Sequence, residues 1–284
     1  MIKKIKILCR VFIVVLSLII LLLLVRIFLA DTFAIPSESM VPTLIPGDII
    51  LVDKMTFGAR IYKNYKFSKY GNQLESFRFS GLRKIVPGDV VVFNMPNNGN
   101  VIRFVINYVF CKRCVGCPGD IVIYKSNRIE NNNANKLLSN KVKKLNPFFN
   151  FSLDGVIIND NNVALSSQPY SNIPLYVPRK GDLVRITPNI ANLYNLIIEQ
   201  ETRKKIHYSV ERNEVWLGKK VIYKYYFTHN YYLMAGDNST NSYDSRYWGF
   251  VPEEYIIGVA SKIVFSWDNY LKEIRWNRIL KDIK

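Results

Sequence analysis

The feature that most constrains this chain lies at its start. Lys3, Lys4, Lys6 and Arg10 precede an apolar run from Val11 to Val25 in which Ser17 is the only polar residue. Arg26 interrupts it, and Ile27 to Ala30 resume it. A helix over residues 11–30 would rise about 30 Å, the thickness of a bilayer's hydrocarbon core. Arg26 falls near one end, where a long side chain can reach the headgroups. Basic residues before such a span place that end in the cytoplasm and the rest of the chain outside. A cleaved secretory signal is the alternative reading of the same run. Both readings export the remainder of the chain. The formal net charge of +17 then points to anionic lipid and away from nucleic acid.

Beyond the span the pattern is one of short β-branched runs launched by tight turns. Pro46-Gly47-Asp48, Pro87-Gly88-Asp89 and Pro118-Gly119-Asp120 share one design. Pro presets the first turn dihedral, Gly accepts positive φ, and Asp can bond nearby backbone. The runs after these turns, Ile49–Val52, Val90–Phe93 and Ile121–Tyr124, read as strands, as do Val101–Phe110 and Tyr255–Phe265. The expected fold is mainly β: an antiparallel core with an inserted α+β cap, preceded by one transmembrane helix.

The expected layout is a cytoplasmic N-terminus at 1–10, a transmembrane helix at 11–30, a β core at 31–120 and 230–268, an inserted cap at 121–229 and a basic tail at 269–284. In the cap, Asn131 to Asn133 mark a polar loop. Thr187-Pro188 opens a helix that sets Ile190, Leu193, Tyr194, Ile197 and Ile198 on one face. This face suggests that the insertion has a small core of its own. Residues 58–84 carry seven basic residues and one acid and read as a solvated loop, with contact to anionic headgroups as the alternative. Trp276, Ile279, Leu280 and Ile283 fall at helical spacing, which suggests an amphipathic tail docked on the core or lying on a membrane.

Cys111, Cys114 and Cys117 recur every third residue. Zinc wants four ligands, often as two separated pairs, and only His207 and His229 add to the set. A strand would also turn Cys111 and Cys114 to opposite faces. They read as small packing residues and not as a metal site, with a disulfide open to any odd thiol in an oxidising compartment.

For chemistry, Ser37 and Ser39 stand at i and i+2, so in an extended chain they face the same way. One can attack while the other donates to an oxyanion. A serine nucleophile needs a base. His207 and His229 lack acidic neighbours in sequence. A lysine is the other option, although at pH 8 only about 0.4% of a free lysine is neutral, so burial must lower its pKa. Lys112, flanked by Phe110, Cys111, Cys114 and Val115, is the candidate, facing inward or outward according to strand register.

Four boxes carry a resemblance. PSESMVPTL (Pro36 to Leu44), PGDVVVF (Pro87 to Phe93), CKRCVGCPGD (Cys111 to Asp120) and GDNSTNSYDSR (Gly236 to Arg246) resemble, in order and spacing, the boxes of bacterial type I signal peptidases. The resemblance covers the core and not the insertion. It implies a serine endopeptidase in which Ser39 is the nucleophile and Lys112 the base. Ser37 would be an oxyanion donor, and Ser242 would orient the lysine nitrogen. Arg113, Asp237, Asp244 and Arg246 would form a charged support. Phe33, Ile35 and Met40 would line pockets for small side chains.

The resemblance further implies chemistry without metal or cofactor, signal peptides of exported preproteins as substrates, contact with membrane lipids and the general secretion machinery, and a single-pass place in the bacterial cytoplasmic (inner) membrane. Ser239 stands where many relatives have arginine, and Cys114 and Cys117 replace aliphatic positions. Two other readings stay open: an inactive membrane-tethered scaffold, and a peptidase dedicated to one secretion substrate. A self-cleaving repressor would carry a DNA-binding head where this chain has its span.

Overall fold

The computed structural model describes residues 2–65, 74–96, 102–125, 128–131 and 173–283. An α-helix, Ile2–Leu24, runs into a π-helical turn, Val25–Leu29. The stretch Lys6–Leu29 is long and apolar enough to cross a membrane, and none of it is buried against the rest of the protein. At its end Arg26 turns back to Asp31, which also receives Lys54 at 3.1 Å.

The three Pro-Gly-Asp turns organise the chain beyond the helix. Gly47, Gly88 and Gly119 adopt φ of 95°, 105° and 92°, values that a side chain would strain. In each turn the aspartate accepts from the amide three residues back: Asp48 from Ile45, Asp89 from Val86 and Asp120 from Cys117, at 2.8–3.0 Å. The strands Asp48–Asp53 and Val90–Asn94 start at or just after their turns, and Ile121–Lys125 comes directly after the third.

The main sheet is antiparallel, in the order Ala30–Ala34, Asp48–Asp53, Ile256–Asp268, Val90–Asn94, Val109–Gly116, Tyr231–Ala235 and Val251–Pro252. Glu273–Ile274 pairs with the far end of Ile256–Asp268. Register shifts along Ile256–Asp268 let this strand bend and serve neighbours at both ends. Every residue of Val90–Asn94 is buried. Val91 and Phe93 face a large apolar cluster, and Val90 and Val92 face a smaller one with Ile35, Met40, Leu44, Ile50 and Ile263. A continuous apolar run is what a strand covered on both faces requires.

Five readings of the sequence need correction. The strand expected at Val101–Phe110 is instead Val109–Gly116. Ile102 and Phe104 are buried, but the Asn94 amide holds the Val105 and Ile106 carbonyls and the chain turns there. The described residues of the 58–84 stretch, 58–65 and 74–84, are no solvated loop. Arg60–Tyr62 and Ser76–Arg78 form a hairpin, and Arg78 is drawn onto the Gly58, Glu253 and Ile256 carbonyls.

The helix Pro188–Thr202, capped by Thr187 at the Ile190 amide, forms as expected. Its Tyr194, Ile197 and Ile198, however, join the same cluster as Val91, Phe93 and Trp248, so the described part of the insertion shares the main core. Tyr194 meets Phe227 and Phe250 at ring distances of 5.3 and 5.8 Å. Asn131 belongs to the strand Arg128–Asn131, and Asn132 and Asn133 lie outside the described residues.

The tail docks on the core, as one of the two readings had it, but by backbone pairing and not as an amphipathic helix. It returns along Ile256–Asp268 through Leu280 N to Ile263 O, Ile263 N to Lys281 O and Ile283 N to Ser261 O. Arg278 grips the buried Asp48 at 2.9 and 2.6 Å. Backbone pairing and this ion pair outweigh a helical face that would bury little, and Trp276 and Leu280 stay exposed.

Candidate active site

Ser39 sits on a tight turn and not in the extended chain expected. Val41 N donates to Glu38 O and Leu44 N to Met40 O. Ile35, Met40 and Leu44, all buried in the smaller cluster, pin the turn and leave Ser37 and Ser39 at its apex. Their hydroxyls lie 3.3 Å apart, so the turn achieves the proximity expected of a strand. The second half of the site clamps this loop by its backbone. Asn238 N donates to Ser39 O at 3.0 Å, and Asn238 Nδ2 to Glu38 O at 3.1 Å.

Lys112 comes from the Val109–Gly116 strand, opposite Val91. The register turns it inward: it is 3% exposed, and its Nζ donates to Ser39 Oγ at 2.5 Å. Phe110, two residues back on the same side, places its ring 5.5 Å from the nitrogen. Burial pushes the Lys112 pKa below 10.5. Asp244 and Asp237 oppose that shift, and Arg246 adds to it. A lysine so desolvated is driven toward the neutral amine that can accept a proton.

Two forked ion pairs stand behind this contact. Arg113 Nε and Nη2 grip the two oxygens of Asp237 at 2.7 and 2.5 Å. The same guanidinium donates to Gly88 O at 2.6 Å and to Thr43 Oγ1 at 3.2 Å. Arg246 holds Asp244 at 2.7 and 2.8 Å. Asp244 also accepts from Gly236 N and from Ser242 Oγ, the latter at 2.7 Å. The Ser242 hydroxyl thus donates its proton to the Asp244 carboxylate. These planar forks tie the segments around residues 43, 88, 113, 237 and 244 into one frame.

Ile35 and Met40 are core residues, 6% and 1% exposed. Phe33 packs at the edge of the same cluster and lines a cavity of about 640 Å³ with Val109, Ile257, Asn94, Arg60 and Ile27, at the foot of the apolar helix. Neither histidine joins the dyad. His207 lies in a peripheral hairpin strand opposite Trp216, and His229 pairs with Glu201 and Glu254.

Three residues were missed. Thr43 bridges Arg113 and Asp237, donating to the carboxylate at 2.5 Å. Asn238 clamps the nucleophile loop. Gly236 is wedged between Ser39 and Ser242, where a Cβ would lie 2.1 Å from Ser242 Oγ and 2.5 Å from Ser39 O. All three lie inside the recognised boxes, so position was the available signal; their roles depend on contacts across the fold.

Residues 8–267 match the family described as signal peptidase, peptidase S26. The chain is 34% identical to the Signal peptidase I of Buchnera aphidicola subsp. Baizongia pistaciae (strain Bp), over 89% of this chain and 74% of that protein. It is 30% identical to the Signal peptidase I of Pseudomonas fluorescens, over 86% of this chain and 68% of that protein. With the Aquifex aeolicus (strain VF5) Signal peptidase I the identity is 29%, over 86% and 79%. The likeness therefore runs from the apolar helix through both halves of the core, and the chain belongs to the signal peptidase family, peptidase S26.

Proposed function

We propose that this protein is a membrane-anchored serine endopeptidase that removes signal peptides from exported preproteins, with Ser39 as nucleophile and Lys112 as general base. The carrying observation is the buried 2.5 Å contact between Lys112 Nζ and Ser39 Oγ. In the neutral state the direction of that bond reverses, and the Ser39 hydroxyl donates to the amine lone pair. Attack on a substrate carbonyl then passes the proton to Lys112 and forms a tetrahedral intermediate. Its collapse expels the leaving amine, protonated by Lys112. Water, activated in turn by Lys112, releases the acyl group from Ser39.

Ser37 Oγ and the Ser39 amide, which has no protein acceptor among the described residues, are the proposed oxyanion donors. Arg113, Asp237, Asp244 and Arg246 hold the two halves of the site in register, and Ser242 acts on Lys112 through Asp244. Phe33 presents apolar surface to the residues before the scissile bond, and Ile35 and Met40 form the floor beneath. The apolar helix keeps the site at a membrane face. We assign the N-terminus to the cytoplasm and the catalytic domain to the outer side of the bacterial inner membrane, with lipid and secretion machinery as neighbours.

The test is cleavage of a signal-bearing preprotein by the detergent-purified full chain, with Ser39→Ala and Lys112→Ala beside it and products read by mass spectrometry. Cutting after a small-x-small sequence by the wild type alone supports the proposal. Binding without cutting from neutral to alkaline pH would replace it with the tethered scaffold.

A further inference from the structure

We propose that Cys114 and Cys117 are a disulfide-forming pair that cross-links the strand carrying Lys112 to the turn at its end. Their sulfurs lie 3.5 Å apart. In a straight strand, residues three apart point to opposite faces. Here the register shifts at Leu233/Met234, opposite Gly116 and Cys114. The strand then ends at Gly116, and the chain turns through Cys117, whose amide is held by Asp120. That bend brings both thiols to one side. A disulfide needs about 2.05 Å between sulfurs, so closure asks for a movement of about 1.5 Å at two side-chain ends.

The geometry also selects the pair. Cys111 packs against the smaller apolar cluster, while Cys114 belongs to the larger one on the other side of the strand. Burial pushes the Cys111 thiol up to about 12, so it resists becoming a nucleophilic thiolate. Cys9 lies in the apolar helix. Within the pair, Cys114 is fully buried and its thiol is pushed up by burial, whereas Cys117 is partly exposed.

Cys117 is therefore the entry point. Its thiolate attacks one sulfur of an external disulfide, of the class that keeps exported proteins oxidised. An S–S bond forms to Cys117, and the first external thiolate leaves. Cys114, losing its proton to solvent, then attacks the Cys117 sulfur of that mixed disulfide. The second external thiolate leaves, and both leaving thiolates take up protons. The two cysteines are oxidised by two electrons, and the external disulfide is reduced to two thiols.

The bond would lie where it can stiffen the site's frame. Cys114 N donates to Asp89 O, and Cys114 O accepts from Gly88 N, both at 2.8 Å. Gly88 O in turn accepts from Arg113. The cross-link thus joins the Pro87-Gly88-Asp89 and Pro118-Gly119-Asp120 turns through the strand that carries Lys112 and Arg113. The closed loop is short, so the gain is modest: a rise in Tm of roughly 3–6 °C.

The test equilibrates the full-length, detergent-purified protein with oxidised glutathione. Free thiols are then alkylated and the protein is digested without reduction. The expected product is a Cys114–Cys117 cross-link about 2 Da lighter than the dithiol, with Cys9 and Cys111 alkylated. Reduction should lower the Tm of the wild type and leave that of Cys117→Ser unchanged. The proposal is overturned if Cys114 and Cys117 are both alkylated after equilibration, or if the cross-link found involves Cys111 or a second molecule. Neither readout uses peptidase activity, so failure here and failure of the catalytic assignment are separate results.

Discussion

Arg113 and Asp237 come from strand and loop 124 residues apart, yet they meet in a forked ion pair in which each side chain is 1% exposed. A buried pair of this kind contributes little against an apolar replacement, but removing one partner strands a charge, at about 3–5 kcal/mol. Asp237→Ala should therefore lower the Tm of the full chain by roughly 10 °C. The double variant Arg113→Met/Asp237→Leu should recover at least half of that loss. A single variant that melts like the wild type would remove the pair from the supporting frame.

Lys112→Met should abolish proton transfer and lower kcat/KM by at least about 10³-fold. In the wild type, kcat/KM should rise with pH to a midpoint below 10.5, because the folded lysine loses its proton more readily than a free one. The same shift affects stability. Between the folded pKa and 10.5 the unfolded chain binds more protons, so this group makes stability rise with pH. Lys112→Met should thus be more thermostable than the wild type at pH 7, with an advantage that shrinks toward pH 10.5. A gap independent of pH would contradict a desolvated lysine.

Gly236→Ala should fold but misplace the nucleophile, since its Cβ would meet Ser242 Oγ and Ser39 O. A displacement of about 1 Å at the reacting group costs on the order of 10²-fold in rate. The loss should fall on kcat more than on KM. Unchanged kcat would mean that the loop tolerates the shift.

His229 supplies a pH dependence away from the dyad. Its hydrogen bond with Glu201 raises its pKa above 6.5; burial and Lys180 oppose this, and Glu254 adds to it. Burial works against ionising Glu201, but His229, Tyr225, the Thr228 amide and Tyr231 hold its pKa below the usual value. Burial raises that of Glu254, with His229 opposing. The stabilisation from His229 is present in full below 6.5 and is lost as pH rises through its raised folded pKa. His229→Gln should therefore destabilise most below pH 6.5 and progressively less as pH rises through the raised folded pKa, measured by thermal melts. An equal loss at both ends would show that packing, not charge, is what His229 contributes.

Much of the local structure was legible because it depends on near neighbours. Pro, Gly and Asp within three residues decide each turn, and the bond from Asp to the amide three back confirms that logic at Asp48, Asp89 and Asp120. Thr187 and Pro188 likewise start the cap helix by themselves. The tail misled because spacing alone at Trp276, Ile279, Leu280 and Ile283 cannot weigh a helix against pairing with a distant strand. Residues 58–84 misled because charge was taken for solvation, when Arg60 and Arg78 find backbone carbonyls to hold.

The sequence by itself determined the apolar helix, the turns, several of the core strands and the boxes that hold the chemistry, since each depends on residues adjacent in the chain. Only the tertiary structure decided that Lys112 points inward, that Ser37 and Ser39 meet on a turn, that Ser242 serves Asp244, and that Cys114 faces Cys117 and not Cys111. Those outcomes depend on strand register, a bulge and burial, which arise when segments far apart in the chain pack together, as Asn238 does on Glu38, 200 residues away. Burial in turn lowers the pKa of Lys112, because a charge removed from water must find partners or give up its proton.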